Sequence, residues 1–430
     1  MEKPVSVAHN RLRVAALVDL PRSAQSGGHV KCWERLALAA SQSTLPLDLT
    51  VYFSGPRGEE IINERARMRQ LPPVFSTAKL RFLPYTPDFT DLAPYHAPLA
   101  RELKDYDLIH STDGFFAYAQ TADRVSRKYG IPLTTSFHTD TPAYTRIFTK
   151  QAISKIFANW PWLKKKLIVD WDFPEHQGRQ MEKKLREHLE DCSYALVTRQ
   201  EDFAFAESVL DARHVKHLRL GVDKKMFGPH RRDREGIERD YKIPPGRTIL
   251  LFVGRVDVGK NIHTLAEAME NLIKEGRNLH LLVAGVGPAE HDVIRHLGSH
   301  VSMPGFVKPD ELARLYASVD ALALCSEVEI RSMAGVEAMA SSCPVLVSEK
   351  SGVAQLFNNT PAMKVVPSGI PSWEKAIREF ILDGVIKQNI MRHAAVAYSS
   401  DHLASWEQVL AEDLFAVWQK AAAIPRDEAA

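Results

Sequence analysis

Short apolar runs alternate with stretches of helical period along almost the whole chain, and that alternation leaves few folds open. In the first half LRVAALV (12–18), LDLTVYF (47–53), LRFLPY (80–85), DLIHST (107–112), PLTTSFH (132–138) and YALVTR (194–199) read as strands. They lack the in/out alternation of a half-solvated sheet, which points to parallel strands covered by helices on both faces. A helix over about 30–40 follows a loop carrying Gly27-Gly28, and YAQTADRVSRKYG ends on Gly130 as a C-cap. A second series begins at TILLFVG (248–254) and continues through HLLVAG (280–285), SMPGFV (302–307), ALALCS (321–326) and PVLVSE (344–349). Two series in 430 residues exceed one ordinary core, so the fold class is α/β with two domains. The first is expected over 1–218 and the second over 219–404, joined by HLRLGVDKKMFGP (217–229). The amphipathic tail SWEQVLAEDLFAVWQKAAA (405–423) has the length of a helix that returns to brace the first domain, which then includes 405–430.

Composition excludes several classes. The net charge of +2 gives no global field for nucleic acid. Cys32, Cys192, Cys325 and Cys343 have no zinc or disulfide spacing, and nothing else in the chain has metal-ligand spacing. MEKPVSVAHNRLRV lacks an apolar signal core, and no run approaches the roughly 20 apolar residues of a membrane span. A cytoplasmic protein is expected, attached at most to the inner face of a membrane.

Chemistry concentrates in the second half, just past the strand ends where open α/β sheets bind ligands. FVGRVDVGKN sets Arg255 and Lys260 around a tight turn after Gly254, and two such cations suit a diphosphate. AGVGPAE carries Gly285 and Gly287, which let a loop pass close to a ligand. Glu290 stands where a dinucleotide fingerprint needs its third glycine, which weighs against NAD. In CSEVEIRSMAGVEAMASSCPV, Glu329 lies in a loop and Glu337 in the helix after it. Ser332 is the expected N-cap, and the first-turn amides around Arg331, Ser332 and Met333 face an anion. Carboxylates accept vicinal hydroxyls in pairs.

In this order the segments resemble the family-4 glycosyltransferases, which have two Rossmann-like domains facing across a cleft (the GT-B fold). The pattern is GR…K, the strand with GxGP, Gly305-Phe306 before ELARLYASVDALAL, and two glutamates running into EAMA and PV. Gly27-Gly28, YDLIHS, SFHTDTPAY and LGVDKKMF match more loosely. The resemblance implies a retaining hexosyltransferase that needs neither metal nor cofactor, its nucleotide-sugar being a substrate, UDP-linked by family frequency. It assigns Arg255 and Lys260 to the donor diphosphate, Phe306 to framing the base, Glu337 to ribose and Glu329 to the transferred sugar. Gly28 would let its loop approach the donor phosphate, and His138 would contact the sugar near the reacting carbon. The acceptor would be a lipid or glycan hydroxyl.

The chain departs from the family at three places. Arg331-Ser332 replaces a usual Phe-Gly, Ser342 a glycine, and Ser351 the first of a Gly-Gly pair. The first of these keeps open a catalytically silent protein that binds a nucleotide or a partner, and a nucleotide-sugar epimerase is the other rival.

The segment KQAISKIFANWPWLKKKLIV (150–169) has five lysines, no acid, and interleaved aromatics. Lys155, Trp160, Trp162, Lys164, Lys165 and Lys166 suit an anionic headgroup boundary. The other reading packs the tryptophans on the domain and leaves the lysines solvated. Pro161 breaks any continuous helix here.

Overall fold

A computed structural model describes residues 11–23, 26–77, 90–357 and 360–423. The chain divides into two compact units, Met1–Arg219 with Trp406–Ala430, and Leu220–Ser405.

The first unit is built on an eight-stranded sheet. In chain order its strands are β1 (Leu12–Pro21), β2 (Leu47–Ser54), β3 (Gly58–Ile61), β4 (Ala66–Leu71), β5 (Leu108–Ser111), β6 (Leu133–Ser136), β7 (Tyr194–Val197) and β8 (Val215–His217). They lie side by side as β3-β4-β2-β1-β5-β6-β7-β8. All pairings are parallel except β3 with β4. Val14, Ala15, Ala16, Leu17 and Val18 of β1 are all buried, as a strand covered on both faces requires. Helices Gly28–Gln42 and Ala117–Tyr129 fall where the periodicity places them, and Gly130 ends the second with φ 61°.

β3, β4 and the three-residue β8 carry no apolar run. GEEI of β3 is exposed along its whole length, and ARMRQL of β4 alternates arginine with buried residues. The strand expected at 80–85 lies outside the described residues. Residues 150–190 are helical but broken as Pro161 foretells: Thr141–Ile156, Pro161–Lys165, a π-turn at Lys166–Asp170, and Phe173–Glu190. Arg146 ties the two long helices together through a two-pronged bond to Glu175 (2.7 and 2.9 Å) and one to Glu182 (2.6 Å).

The tail forms Trp406–Gln408, a π-helical stretch Val409–Phe415 and Ala416–Ala422. Val409, Leu410, Leu414 and Trp418 are fully buried in the first unit. Asp413 accepts from the backbone N–H of Arg219 at 2.9 Å and from its guanidinium at 2.6 Å.

The second unit has six parallel strands: β9 (Thr248–Val253), β10 (Leu279–Ala284), β11 (Val301–Gly305), β12 (Ala321–Leu324), β13 (Val345–Ser348) and β14 (Met363–Val366). Their spatial order is β11-β10-β9-β12-β13-β14. In chain terms this is the doubly wound 3-2-1-4-5-6 arrangement, whose direction of winding reverses between its first and fourth strands. Those strands are β9 and β12, which pair directly. The core is apolar, from the aliphatic Leu250, Leu281, Val283 and Met269 to the aromatic Trp373 and Phe380. Helices Ile262–Lys274 and Ile370–Leu382 contribute its outer layer.

Candidate active site

In an open parallel sheet, connections leaving neighbouring strands in opposite directions open a crevice at the carboxyl edge. Arg255 and Lys260 follow β9, and Glu329 follows β12, so the strand order alone brings them to one crevice. The ammonium of Lys260 lies 2.8 Å from a Glu329 carboxylate oxygen, and each side chain keeps 16% of its surface exposed.

The turn that presents Lys260 is held from below. Buried Asp257 accepts from the Lys260 backbone N–H at 3.0 Å and from the Arg255 guanidinium at 3.1 Å. Asn261 adopts a left-handed conformation with φ 54°, tolerated better by Asn than by most residues. From there its amide donates to the Cys325 carbonyl at 3.2 Å. Ser326 donates to the Gly259 carbonyl at 3.1 Å. These bonds lock the β9 loop to the end of β12. The sequence reading missed Asn261, although the GKN string carried the one residue type suited to that turn.

Gly285 and Gly287 are also required by the packing of the loops themselves. A Cβ on Gly285 would stand 1.8 Å from the Gly254 carbonyl oxygen, and one on Gly287 would stand 2.3 Å from that of Val256. The close approach these glycines permit is of the β10 loop to the β9 loop, backbone against backbone. Gly254, itself at φ 140°, is thus clamped from the neighbouring strand. Phe306, directly after Gly305 (φ 76°), is 45% exposed at the carboxyl end of β11.

Helix Met333–Ala340 starts after Ser332, but the Ser332 side chain makes no capping bond. Ser332 has φ −113°, so this turn does not demand the positive φ for which glycine is favoured. Arg331 and Met333 are half-buried. Glu337 is almost fully buried and accepts from the Tyr316 hydroxyl at 3.2 Å. Burial, and then the charge of Glu337, push the Tyr316 pKa well above its ordinary value, so the phenol donates. Tyr316, on the preceding helix, gave no signal in the sequence. Among the described residues no three His, Cys, Asp or Glu side chains form a cluster suited to a metal ion.

The other two expected site residues belong to the first unit. Gly28 opens helix Gly28–Gln42 past the end of β1, and His138 lies just beyond β6, 8% exposed. The residue after Gly28 joins them, for the His29 ring stacks on that of His138 with centroids 4.3 Å apart and planes 2° from parallel. Behind His138, Ser136 Oγ lies 2.9 Å from Nε2, and His110 lies 2.9 Å from the same hydroxyl. His29 was missed because a lone histidine after two glycines carries no chemical pattern.

In the basic segment Trp160 and Trp162 are 56% and 67% exposed, and Trp171 just beyond it is 59% exposed. The reading in which its tryptophans pack on the domain is therefore corrected: Pro161 opens a helix of only five residues with no buried side chain. Among the described residues no helix is long and apolar enough to cross a membrane.

Residues 233–398 match the family model described as glycosyl transferases group 1. The sulfoquinovosyl transferase SQD2 of Arabidopsis thaliana is 25% identical over 225 residues, which cover 52% of this chain and 39% of that protein. The chain spans less than half the length of the curated relatives it matches. Sucrose-phosphate synthase from Thermosynechococcus elongatus superposes with a TM-score of 0.69 at 17% identity, covering 93% of this chain and 97% of that one. HepE of Anabaena, solved with UDP and glucose, gives a TM-score of 0.64 at 15% identity, with 96% and 98% covered. Residues 233–398 thus match a glycosyl transferases group 1 domain, in a chain whose fold is that of GT-B glycosyltransferases.

Proposed function

We propose that this protein is a retaining, metal-independent glycosyltransferase of family 4 that moves a hexose from a UDP-sugar to an acceptor hydroxyl. The donor occupies the carboxyl edge of the second unit, and the first unit receives the acceptor. The observation that carries this reading is the 2.8 Å contact between Lys260 and Glu329 where the sheet's winding reverses. A cation and a carboxylate side by side match a sugar diphosphate, which offers charge to one and hydroxyls to the other. Lys260 and Arg255 then stabilise the diphosphate as the anomeric bond breaks, the role a divalent cation fills elsewhere. Glu329 holds sugar hydroxyls, Glu337 holds ribose hydroxyls, and Phe306, Gly254 and Gly287 frame the nucleotide. The amides of Arg331, Ser332 and Met333 supply donors at the helix start. The acceptor oxygen attacks on the face the diphosphate leaves, and the diphosphate takes its proton. The UDP and glucose bound to HepE support the choice of base and sugar.

A thermal-shift panel of UDP-, GDP- and ADP-hexoses tests the donor, since a ligand that binds the folded state raises apparent stability by mass action. UDP-glucose is expected to raise Tm most. Lys260→Ala is expected to lower kcat by about 10²–10³-fold, as removal of one preorganised charge stabiliser does. No response to any nucleotide sugar would overturn the reading.

The acceptor is proposed to be a membrane lipid or glycan, met at an anionic surface through Lys155, Trp160, Trp162, Lys164, Lys165 and Lys166. Exposed tryptophan beside lysine combines interfacial burial with headgroup attraction. Flotation with anionic vesicles at low salt is expected to carry the protein upward, and Trp160→Ala with Trp162→Ala to weaken this. Failure to float would remove the membrane from the proposal.

A further inference from the structure

The first unit holds a polar pocket of its own, toward the amino ends of β1 and β2, at the edge of the sheet opposite to Gly28 and His138. Its volume is about 240 Å³. Strand register builds it: Arg13 pairs with Asp48, Thr50 with Arg67, and Tyr52 with Arg69, and residues two apart on a strand share a face. The turn from helix Ala97–Leu103 to β5 borders it with Asp105 and Tyr106.

The lining is fixed by its own bonds, so a ligand meets groups already in position. Arg67 grips both oxygens of Asp48 at 2.9 and 3.1 Å. Arg69 donates to a Glu102 oxygen at 2.6 Å, and the same oxygen accepts from the Tyr52 hydroxyl at 2.8 Å. The Tyr52 and Tyr106 hydroxyls lie 3.0 Å apart. Burial raises the pKa of both phenols, so each stays neutral and can donate as well as accept. Asp105 is exposed, and Arg13 feels its charge. Stability alone does not account for the cluster. The Arg67 Nε–H is buried and has no acceptor among the described residues, which works against folding.

The balance of charge selects the ligand. Arg13, Arg67 and Arg69 are matched in the lining by Asp48, Glu102 and Asp105. An anion uses donors only and would meet the carboxylates, and a cation uses acceptors only and would meet the guanidiniums. A sugar hydroxyl donates and accepts, and vicinal hydroxyls suit a carboxylate or a guanidinium in pairs. Thr50, Tyr52 and Tyr106 add hydroxyls of both capacities, and the half-buried Tyr106 ring gives an apolar wall for ring C–H groups. The volume lies below the roughly 300–1,000 Å³ of drug-sized ligands, room for one sugar ring and not for a sugar nucleotide. We propose that this pocket binds one neutral sugar residue, a carbohydrate site separate from the donor crevice of the second unit. It goes beyond the transferase reading and does not depend on it.

Saturation-transfer NMR on the full chain tests this with the methyl glycosides of glucose, galactose, mannose and N-acetylglucosamine. Methyl phosphate and putrescine serve as charged probes. At least one glycoside is expected to receive saturation with a millimolar Kd that excess UDP leaves unchanged, and the charged probes to receive none. Asp105→Ala removes an exposed acceptor and Tyr106→Phe a single hydroxyl, and each is expected to weaken that glycoside about tenfold. Arg67→Ala should weaken it further. If that variant does not fold, the other two carry the test. No glycoside bound, a glycoside displaced by UDP, tighter binding of either charged probe, or an affinity untouched by both Asp105→Ala and Tyr106→Phe would overturn the proposal. A glycoside signal that behaves as expected in a protein with no response to any nucleotide sugar would instead refute the transferase reading alone.

Discussion

Ser342 shows how a departure from a family pattern is absorbed by one residue. It has φ 64°, a conformation that costs an L-residue roughly 1–2 kcal/mol and explains the glycine usual there. Its hydroxyl donates to the Arg392 carbonyl at 3.1 Å, and the Arg392 guanidinium returns a bond to the Ser342 carbonyl at 3.1 Å. The first bond offsets about 1 kcal/mol of the strain. Ser342→Gly relieves the strain but loses that bond and loosens the unfolded chain, so its unfolding free energy should lie within about 1 kcal/mol of wild type. Ser342→Val, β-branched and without the hydroxyl, should lose at least about 2 kcal/mol. Urea denaturation of the two variants checks both, and equal losses would contradict this account. Ser351 resolves the other departure differently. It has an ordinary φ of −72° and caps the next helix by accepting from Val353 N–H, so no glycine is needed.

At the scale of elements, helix Phe173–Glu190 is pinned by a buried ion pair to a neighbouring helix and by a hydrogen bond to the sheet. His188 Nδ1 lies 2.6 Å from Asp123 of helix Ala117–Tyr129, and Nε2 lies 2.7 Å from Ser111 at the end of β5. Burial alone would drive this imidazole neutral. Neighbouring Cys192 and the Asp123 carboxylate reverse that and hold its pKa well above the ordinary value. A raised folded pKa means the pair's contribution is complete below about pH 6.5, the unfolded value. It is lost as pH climbs from there through the folded value. Unfolding free energy measured in urea should therefore decline from about pH 6.5 upward. Asp123→Asn should flatten that decline and cost about 3–5 kcal/mol at pH 6, because it strands a buried charge. A wild-type stability that rises over this range would refute the assignment. Much at this scale was legible in the sequence. The strands with unbroken apolar runs were found because burial on both faces leaves no ambiguity, and Lys260 and Glu329 converge because each follows such a strand. β3, β4, β8 and β14 were missed because their residues are charged, exposed or few. His188 and Asp123 were illegible, since sixty-five positions separate them and no motif joins them.

At the scale of the molecule, the first unit takes material from both sides of the second. Trp406, Val409, Leu410, Leu414, Phe415 and Trp418 are buried in it. Each large apolar side chain contributes roughly 1.5–3 kcal/mol when fully buried, and together they rival the 5–15 kcal/mol that holds a typical domain folded. A chain ending at residue 405 should therefore lose the cooperative melting of its first unit while its second unit still melts as a body. Calorimetry would resolve the two, and an intact first transition would refute the claim. The second unit, by contrast, uses contiguous residues only. A ribosome translating this chain has finished every strand of both sheets before it makes Trp418. Until then the first unit lacks the buried side chains that the tail supplies. The protein must be synthesised past its second half before its first half can settle.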